Sequence, residues 1–486
     1  MKNRILLALI TIVFFSESSF IGIEKLTENQ KPNVVFIAVD DLNDWVGFLK
    51  GHPQTITPNL DRLASQGMVF ENAHCAASVC NPSRAAIMTG ILPSTSGIYG
   101  NSQFLRDSPV LKDAVLLPKW FSNNGYYTLS RGKILHQPTG KWADPQSWDE
   151  IFQAKADNFG KPKSLNDSAM ANGIKIVKNN DSNGEVGLDW GGLNIPTEKT
   201  PDYQNAVWAV EQLQRNFDKP FFMACGFFRP HLPFYVPQKY FDKFKLEDII
   251  LPSVKENDLD DLPKAGVNMS GGLKPNSDYN AIKNMQKEKE AVRAYLACIA
   301  YADDCIGVLL KGLEQSKYAK NTVVVLWGDH GWHLGEKKHY RKVTLWERAT
   351  RMPLVIKAPF LVKAGSRCAK PVNLIDVYPT LTDLCGLPSN PSNQGHSMLP
   401  LLKNSQASWK YPSLTTMGKD NHALRNERYR YIKYSDGTEE FYDHKLDSNE
   451  WDNLASNPKY KAEKEKLKKW LPKVNADDVK SSKSKD

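Results

Sequence analysis

Apolar runs with the character of buried strands recur through the first four-fifths of the chain. They occupy residues 33–39, 126–130, 220–227 and 322–327, and continuous runs of this length are typical of strands covered on both faces. Between them, apolar residues recur with the period of a helix. These stretches predict helices at 58–66, 117–124, 202–217, 288–313 and 372–384. The alternation indicates an α/β fold, in which helices flank a mostly parallel central sheet.

The pattern changes after residue 396. Residues 422–425, 429–434 and 440–442 are short and rich in aromatic and β-branched positions, and Asp436-Gly437 favours a tight turn between the last two. A helix is predicted at 459–471. We therefore expect a large domain at 31–396 and a smaller α+β domain with an antiparallel sheet at 397–486, which ends in a basic tail.

The first residues have the order of a secretory leader. Lys2 and Arg4 precede the apolar run 5–15, which is followed by the small polar residues 16–19. This order predicts a signal peptide at 1–22 and an exported protein, periplasmic or secreted in a bacterium. The run is short for a bilayer span, so no stable membrane insertion is expected, and an uncleaved anchor is the alternative.

The formal charge of +9 and the seven cysteines narrow the class of protein. A basic exported protein attracts acidic polymers such as sulfated polysaccharides, although a solvated lysine-rich tail at 461–485 explains part of the same excess. No nucleic-acid-binding motif is present, and the leader also argues against that class. Seven cysteines spread over 486 residues are not a disulfide framework, and their odd number leaves at least one thiol over.

One cysteine lies at a predicted helix start. In Cys80-Asn81-Pro82-Ser83-Arg84 the proline fits the first helical turn, and Gly90 can end the helix in the left-handed conformation. The free N–H groups of a helix N-terminus stabilise an anion, and Arg84 adds a forked donor suited to a tetrahedral oxyanion. From these residues alone, a small buried thiol explains Cys80 equally well.

Two predicted strands end in acidic residues. Asp40-Asp41 follows the strand 33–39, and Asp329-His330 follows the strand 322–327. The carboxyl ends of parallel strands share one edge of a sheet, and carboxylate oxygens suit a hard cation such as Ca²⁺. Turns and helix caps explain most aspartate pairs without a metal.

Residues Cys80 to Gly90 match the pattern CxPSRxxxxTG. On this motif the chain resembles the type I sulfatases, which have an alkaline-phosphatase-like fold, and within them iduronate-2-sulfatase and related polysaccharide sulfatases. The resemblance implies that a formylglycine-generating maturation enzyme oxidises Cys80, and that the hydrated aldehyde is the nucleophile. It further implies one Ca²⁺ at a site whose ligands are Asp40, Asp41, Cys80, Asp329 and His330. The family has Asn or His at the last position, and His is a less usual calcium ligand.

The same resemblance assigns roles to further side chains. Lys133 and Arg84 are implied to bind the aldehyde hydrate and stabilise charge, and His136 to withdraw a proton so that sulfate is expelled. His231 is the implied general acid, which protonates the leaving oxygen. Lys133 and Lys342 are implied to contact the sulfate group. Taken singly, each histidine is also explained as a structural hydrogen-bonding group, and Lys342 as part of a solvated basic run.

Four residues that closely follow the second acidic strand end are expected to line a sugar-binding mouth. They are Trp332, His333, Glu336 and His339. The expected function is hydrolysis of sulfate esters on a sulfated polysaccharide or its oligosaccharides, with attack at a chain end. The alternatives are a phosphonate or phosphodiester hydrolase on the same fold and an inactive protein that binds sulfated glycans.

Overall fold

The strand Asn33–Val39 lies at the centre of the molecule and is buried along its whole length. Val35, Ile37 and Val39 point into one hydrophobic cluster. The alternate residues Val34, Phe36 and Ala38 point into a second cluster on the opposite face of the sheet. Because both faces are covered by helices, the strand is apolar at nearly every position, as its sequence predicts.

The computed structural model describes residues 31–152, 172, 188–272, 274–275 and 277–480, so the predicted leader at 1–22 lies outside the described residues. Within them, the central sheet has eight strands, in the spatial order Ser366–Cys368, Met68–Phe70, Leu354–Lys357, Thr322–Gly328, Asn33–Val39, Phe221–Phe227, Tyr127–Arg131 and Glu150–Phe152. All of these strands run in one direction except Leu354–Lys357. The expected α/β fold with a mostly parallel sheet is confirmed.

Helices cover both faces of this sheet. The helices of the described chain are Pro58–Gln66, Cys80–Thr89, Pro93–Ser96, Leu117–Asn123, Pro201–Leu213, Gln238–Phe241, Lys264–Ser270, Asp278–Asn284, Glu288–Gln315, Glu347–Thr350, Val377–Leu384, Leu399–Lys403 and Lys461–Lys468. The last of these packs against the smaller antiparallel sheet instead. Short two-stranded pairs join Ala73–His74 to Val372–Asn373, Trp190–Leu193 to Phe234–Pro237, and His333–Leu334 to Tyr340–Arg341. Among the described residues no helix has the length and apolar character needed to cross a bilayer.

The smaller antiparallel sheet follows the large one in the chain. Its strands are, in order, Ser413–Thr416, His422–Arg425, Tyr429–Lys433 and Glu439–Asp443. It is tied to the segment just before Cys80, because Thr416 N donates to Ala76 O at 2.9 Å and Thr415 Oγ1 donates to Cys75 O at 2.6 Å. The chain from Lys31 onward is one compact unit, and the division at residue 396 stays a prediction.

Three predicted helices differ in extent from the observed ones by several residues. The helix expected at 372–384 starts only at Val377, because Val372–Asn373 pairs as a strand and Asn373 then caps a tight turn. The helix expected at 202–217 ends at Leu213, and the helix expected at 459–471 spans only Lys461–Lys468. In each place a local contact or turn overrides the periodicity of the apolar residues.

Candidate active site

Two neighbouring parallel strands bring the acidic residues to one edge of the sheet. Val39 is paired with Gly328 in register, so the residues that follow each strand come out side by side. Asp41 has a left-handed backbone with φ 58°, and its N–H donates to Asp329 Oδ1 at 3.0 Å. The strand ends therefore fix the two carboxylates against each other.

The helix Cys80–Thr89 delivers the cysteine to this edge. It begins at Cys80, ends before Gly90 with φ 71°, and is buried at every position. Ser83 Oγ donates to Asp329 O at 2.5 Å and joins the helix directly to the strand end. The predicted helix start at Cys80 and the glycine stop are both confirmed.

Arg84 lies fully buried between the acidic groups. Its Nε donates to Asp329 Oδ2 at 2.8 Å and its Nη2 to Asp40 Oδ1 at 3.1 Å. Nη1 donates to the carbonyl oxygens of Lys133 and Ile134. Burial opposes its charge, yet the adjacent carboxylates raise the pKa of Arg84 above its ordinary value. Arg84 therefore positions the acids, and its implied contact with the aldehyde hydrate stays a prediction.

Asp40 is held between two cations. Lys133 Nζ donates to Asp40 Oδ2 at 2.5 Å, and Arg84 occupies the other oxygen. Burial works against the anion, but Lys133, His231 and Arg84 outweigh it and lower the pKa of Asp40. Asp40 is not among the four side chains whose ligand atoms converge most closely, and its role as a metal ligand stays a prediction.

That convergent group consists of Asp41, Cys80, Asp329 and His330, whose ligand atoms all lie within 4.8 Å of one another. His330 Nε2 is 3.2 Å from Asp41 Oδ1 and 3.7 Å from Asp329 Oδ2. Burial raises the pKa of Asp329 to about 6. Asp41 Oδ2 is buried without a hydrogen-bond partner. Since an orphaned buried carboxylate oxygen is costly, this donor set fits a divalent cation.

Positive groups surround the Cys80 sulfur. Lys342 Nζ is 3.0 Å from Sγ and also donates to Asp41 Oδ1 at 2.8 Å, and His330 Nε2 is 3.3 Å from Sγ. Burial disfavours the thiolate, but Lys342, Lys133 and His330 together hold the pKa of Cys80 well below its ordinary value. Lys342 is buried, so the alternative that it belongs to a solvated basic run is wrong.

Two further predicted histidines border the sulfur and the acids. His231 Nε2 lies 3.8 Å from Asp41 Oδ2, and the side chain is 29% exposed, which makes this the open side of the site. His231 Nδ1 lies 2.6 Å from Leu232 O, so it carries the proton and leaves Nε2 facing the acids. For His136, burial lowers the pKa, although a hydrogen bond to Cys80 opposes this effect.

The predicted mouth residues are occupied by internal contacts. Trp332 is 1% exposed, packs against Tyr295 and Phe234, and lies under Lys342 Nζ, which is 5.4 Å from its ring centroid. His333 bonds Thr344, and His339 bonds the carbonyl oxygen of Lys342. The expectation that Trp332 contacts sugar does not fit its burial. The ring is covered by other side chains and packs against the Lys342 ammonium group.

The sequence prediction missed two aromatic residues near His136. Phe104 and Trp142 lie outside every motif, and only the fold brings their turns together. A partly exposed tryptophan beside His136 has no sequence signal beyond its residue type.

Comparison with known proteins agrees with this geometry. The family model described as Sulfatase matches residues 32–387, and the model described as N-sulphoglucosamine sulphohydrolase, C-terminal, matches residues 335–477. A sulfatase of Formosa agariphila is 41% identical over 466 residues, which cover 92% of this chain and 88% of that protein. Iduronate 2-sulfatase of Mus musculus is 28% identical over 403 residues, 74% of this chain and 69% of that protein.

Among solved structures, a phosphonate monoester hydrolase from Silicibacter pomeroyi has a similar fold. The TM-score is 0.70 at 20% sequence identity, and the alignment covers 90% of this chain and 94% of that one. This likeness concerns the fold alone. The family model, by contrast, spans most of the chain, including both acidic strand ends and the Cys80 helix. The chain therefore belongs to the sulfatase family and is a sulfuric ester hydrolase.

Proposed function

We propose that this protein is exported and removes sulfate esters from a sulfated polysaccharide or its oligosaccharides, with oxidised Cys80 as the nucleophile. The observation that carries the proposal is the surroundings of Cys80 Sγ. Lys342 and His330 lie within 3.3 Å of the sulfur, and Asp41 Oδ1 is 3.8 Å away. A plain structural thiol has no need of two cationic neighbours.

Oxidation of Cys80 to formylglycine by a maturation enzyme would supply a hydrated aldehyde as the attacking group. The residue stands at a helix N-terminus, where backbone N–H groups favour negative charge. Lys342 and Lys133 add positive charge on the same side of the site, so both would stabilise the negative charge on the transferred sulfate.

The residues Asp41, Asp329 and His330, together with position 80, would hold one divalent cation, and we propose Ca²⁺. Carboxylate oxygens favour this hard ion, whereas the imidazole is a less usual ligand for it. Such an ion would neutralise charge on a sulfate oxygen and lower the pKa of a hydroxyl at position 80. Asp40 is proposed as a further ligand of this ion, and it also holds Lys133 in place.

Two histidines would divide the proton transfers. His231 lies on the open side, where the leaving sugar oxygen must depart, and Asp41 and Asp40 raise its pKa in spite of burial. A protonated His231 is therefore the proposed general acid. His136 hydrogen-bonds Cys80, and its lowered pKa suits a base that would take the proton from position 80 as sulfate leaves.

The proposed substrate is a terminal sulfated sugar, attacked from the end of the chain. The likeness to iduronate 2-sulfatase supports a sulfated uronic acid unit. The likeness in fold to a phosphonate monoester hydrolase makes that activity the second candidate. Initial rates on an aryl sulfate and on an aryl phosphodiester distinguish the two.

The test replaces Cys80 by Ala in protein produced together with a maturation enzyme. We expect peptide mass spectrometry to find formylglycine at position 80 of the wild type, and sulfate release from a panel of sulfated oligosaccharides to fall to background in Cys80→Ala. Cys368→Ala is the matched control, since that buried cysteine lies in an outer strand of the sheet. Substantial turnover by Cys80→Ala would refute the assignment of the nucleophile.

A further inference from the structure

A partly exposed aromatic pair borders the proposed active site. The ring centroids of Phe104 and Trp142 are 5.4 Å apart and the ring planes are inclined at 70°. The Trp142 ring is in turn 5.8 Å from the ring of His136. Both aromatic residues keep part of their surface in solvent, whereas Trp332, close to Lys342, is buried. The pair thus presents an apolar surface next to a residue that contacts Cys80.

An ion pair fixes the two turns that carry these rings. Arg106, in the turn Leu105–Asp107, donates through Nε to Asp144 Oδ1 at 3.0 Å and through Nη2 to Oδ2 at 2.7 Å. Asp144 directly follows the turn Gly140–Ala143, which contains Trp142. The two side chains are only 13% and 3% exposed. A bidentate pair of this kind holds both turns in one geometry, so the rings are held ready before any ligand binds.

A cation completes the surface. Lys141 is exposed, and its Nζ lies 5.0 Å from the ring centroid of Phe104. The surface therefore offers an apolar face, made by the exposed parts of the two rings, and an exposed positive charge. An acidic sugar has the complementary features, because the C–H groups of its ring form an apolar face and its carboxylate or second sulfate is an anion.

We propose that Phe104 and Trp142 form a sugar-ring subsite of this enzyme, and that Lys141 selects sugars with a second anionic group. This inference rests on the proposed glycan substrate and adds the residues that recognise it. Trp142 contacts the sugar and takes no part in sulfate transfer itself. Its removal should therefore weaken the use of glycans and leave small aryl sulfates unaffected.

The experiment compares Trp142→Ala with wild type on the sulfated oligosaccharide that the wild type desulfates fastest, and on an aryl sulfate. We expect kcat/KM on the oligosaccharide to fall about tenfold or more, mainly through KM, since one lost aromatic contact is worth roughly this factor. The aryl sulfate rate should stay within about twofold. Trp142→Phe should restore most of the loss, and Trp470→Ala is the matched control because Trp470 is exposed on the C-terminal segment.

Equal losses on both substrates would overturn the proposal, because Trp142 would then act on His136 and the chemistry. Unchanged kinetics on both would overturn it as well.

Lys141→Ala should raise KM for an oligosaccharide with two anionic groups on the terminal sugar more than for one with a single sulfate. If the wild type desulfates no oligosaccharide, the proposed function fails first. The subsite is then tested by titrating the same oligosaccharides into Cys80→Ala and into the double variant that also carries Trp142→Ala. Equal affinities of the two proteins for the oligosaccharides would overturn the proposed subsite.

Discussion

Asp41 has one carboxylate oxygen that the protein leaves without a hydrogen bond. Its Oδ1 accepts from Lys342, while Oδ2 is buried and unpartnered. A calcium ion bound here would satisfy that oxygen, so Ca²⁺ should stabilise the folded state, by about 2.7 kcal/mol when its free concentration is 100 times Kd. Asp41→Asn should lose this gain because it removes a full negative charge. Thermal unfolding with chelator and with added calcium measures the difference.

A second cluster provides the control for this calcium effect. Glu347, His444 and Glu450 also bring their ligand atoms together, but Arg430 is paired with both carboxylates. Arg425 also pairs with Glu347, so two arginines offset the two carboxylates and leave little charge for a metal. Glu347→Gln should therefore keep the calcium response. If the stabilisation by calcium persists in Asp41→Asn and disappears in Glu347→Gln, the ion binds at the second cluster, and the proposed site is refuted.

The sequence predicted the members of the site better than it predicted their contacts. The motif and the two acidic strand ends pick out Cys80, Asp41, Asp329 and His330, because strand ends and a helix start are local features. The pairing of Asp40 with Lys133 depends on side chains 93 positions apart. No local sequence pattern predicts that Asp40 pairs with Lys133 whereas Asp41 faces the Cys80 sulfur.

One helix is capped by a residue of another helix. The helix Pro58–Gln66 has no side-chain cap from Thr57. Instead, Asp303 of the long helix Glu288–Gln315 accepts from Leu60 N at 2.8 Å and from Asn59 N at 3.1 Å. Asp303→Ala should lower the free energy of unfolding by about 1–3 kcal/mol, since buried N–H donors lose their partner. Thermal or denaturant unfolding measures this loss, and Asp304→Ala is the neighbouring control.

The same carboxyl group gives stability a pH dependence. Burial raises the pKa of Asp303 from 3.8 to about 6, so the folded protein holds a proton that the unfolded chain releases between these two values. The contribution of Asp303 is therefore greatest at low pH and declines as pH rises through this window. We expect the stability difference between wild type and Asp303→Ala to be smaller at pH 7 than at pH 4. A difference that grows with pH would contradict the assignment.

Long elements follow from the sequence, and short ones depend on neighbours. Asn33–Val39 and Pro58–Gln66 have the predicted bounds because their apolar patterns are continuous. The strands Leu354–Lys357 and Ser413–Thr416 were missed, since each is short and no Asp-Gly or Asn-Gly turn signal beside it marks it as a strand, so its partner defines it. The single antiparallel strand of the large sheet belongs to this group, and pairing direction has no signal in so short a run.

The C-terminal segment connects the end of the chain to the active site. Ala476 N donates to Ser94 O at 2.8 Å and Val479 N to Gly97 O at 3.0 Å. Gln103 Nε2 donates to Val479 O at 2.7 Å. The loop 97–103 then binds Asn81, the residue after Cys80, through Gln103 O at 2.6 Å and through Asn101 Oδ1 at 3.0 Å. Residues 475–479 thus support the position of Cys80 from a distance.

A chain that ends at Lys473 loses these bonds but keeps the whole central sheet. We expect its kcat/KM for sulfate release to fall by up to about 10²-fold, because a misplacement of about 1 Å at the reacting group has effects of this size. Hydrogen exchange should increase at residues 94–103, while the strand Asn33–Val39 stays protected. A chain that ends at Lys480 retains every one of these contacts and is the matched control. Wild-type kinetics in the shorter chain, together with faster exchange at 94–103, would show that the loop moves without moving Cys80 and would refute the coupling.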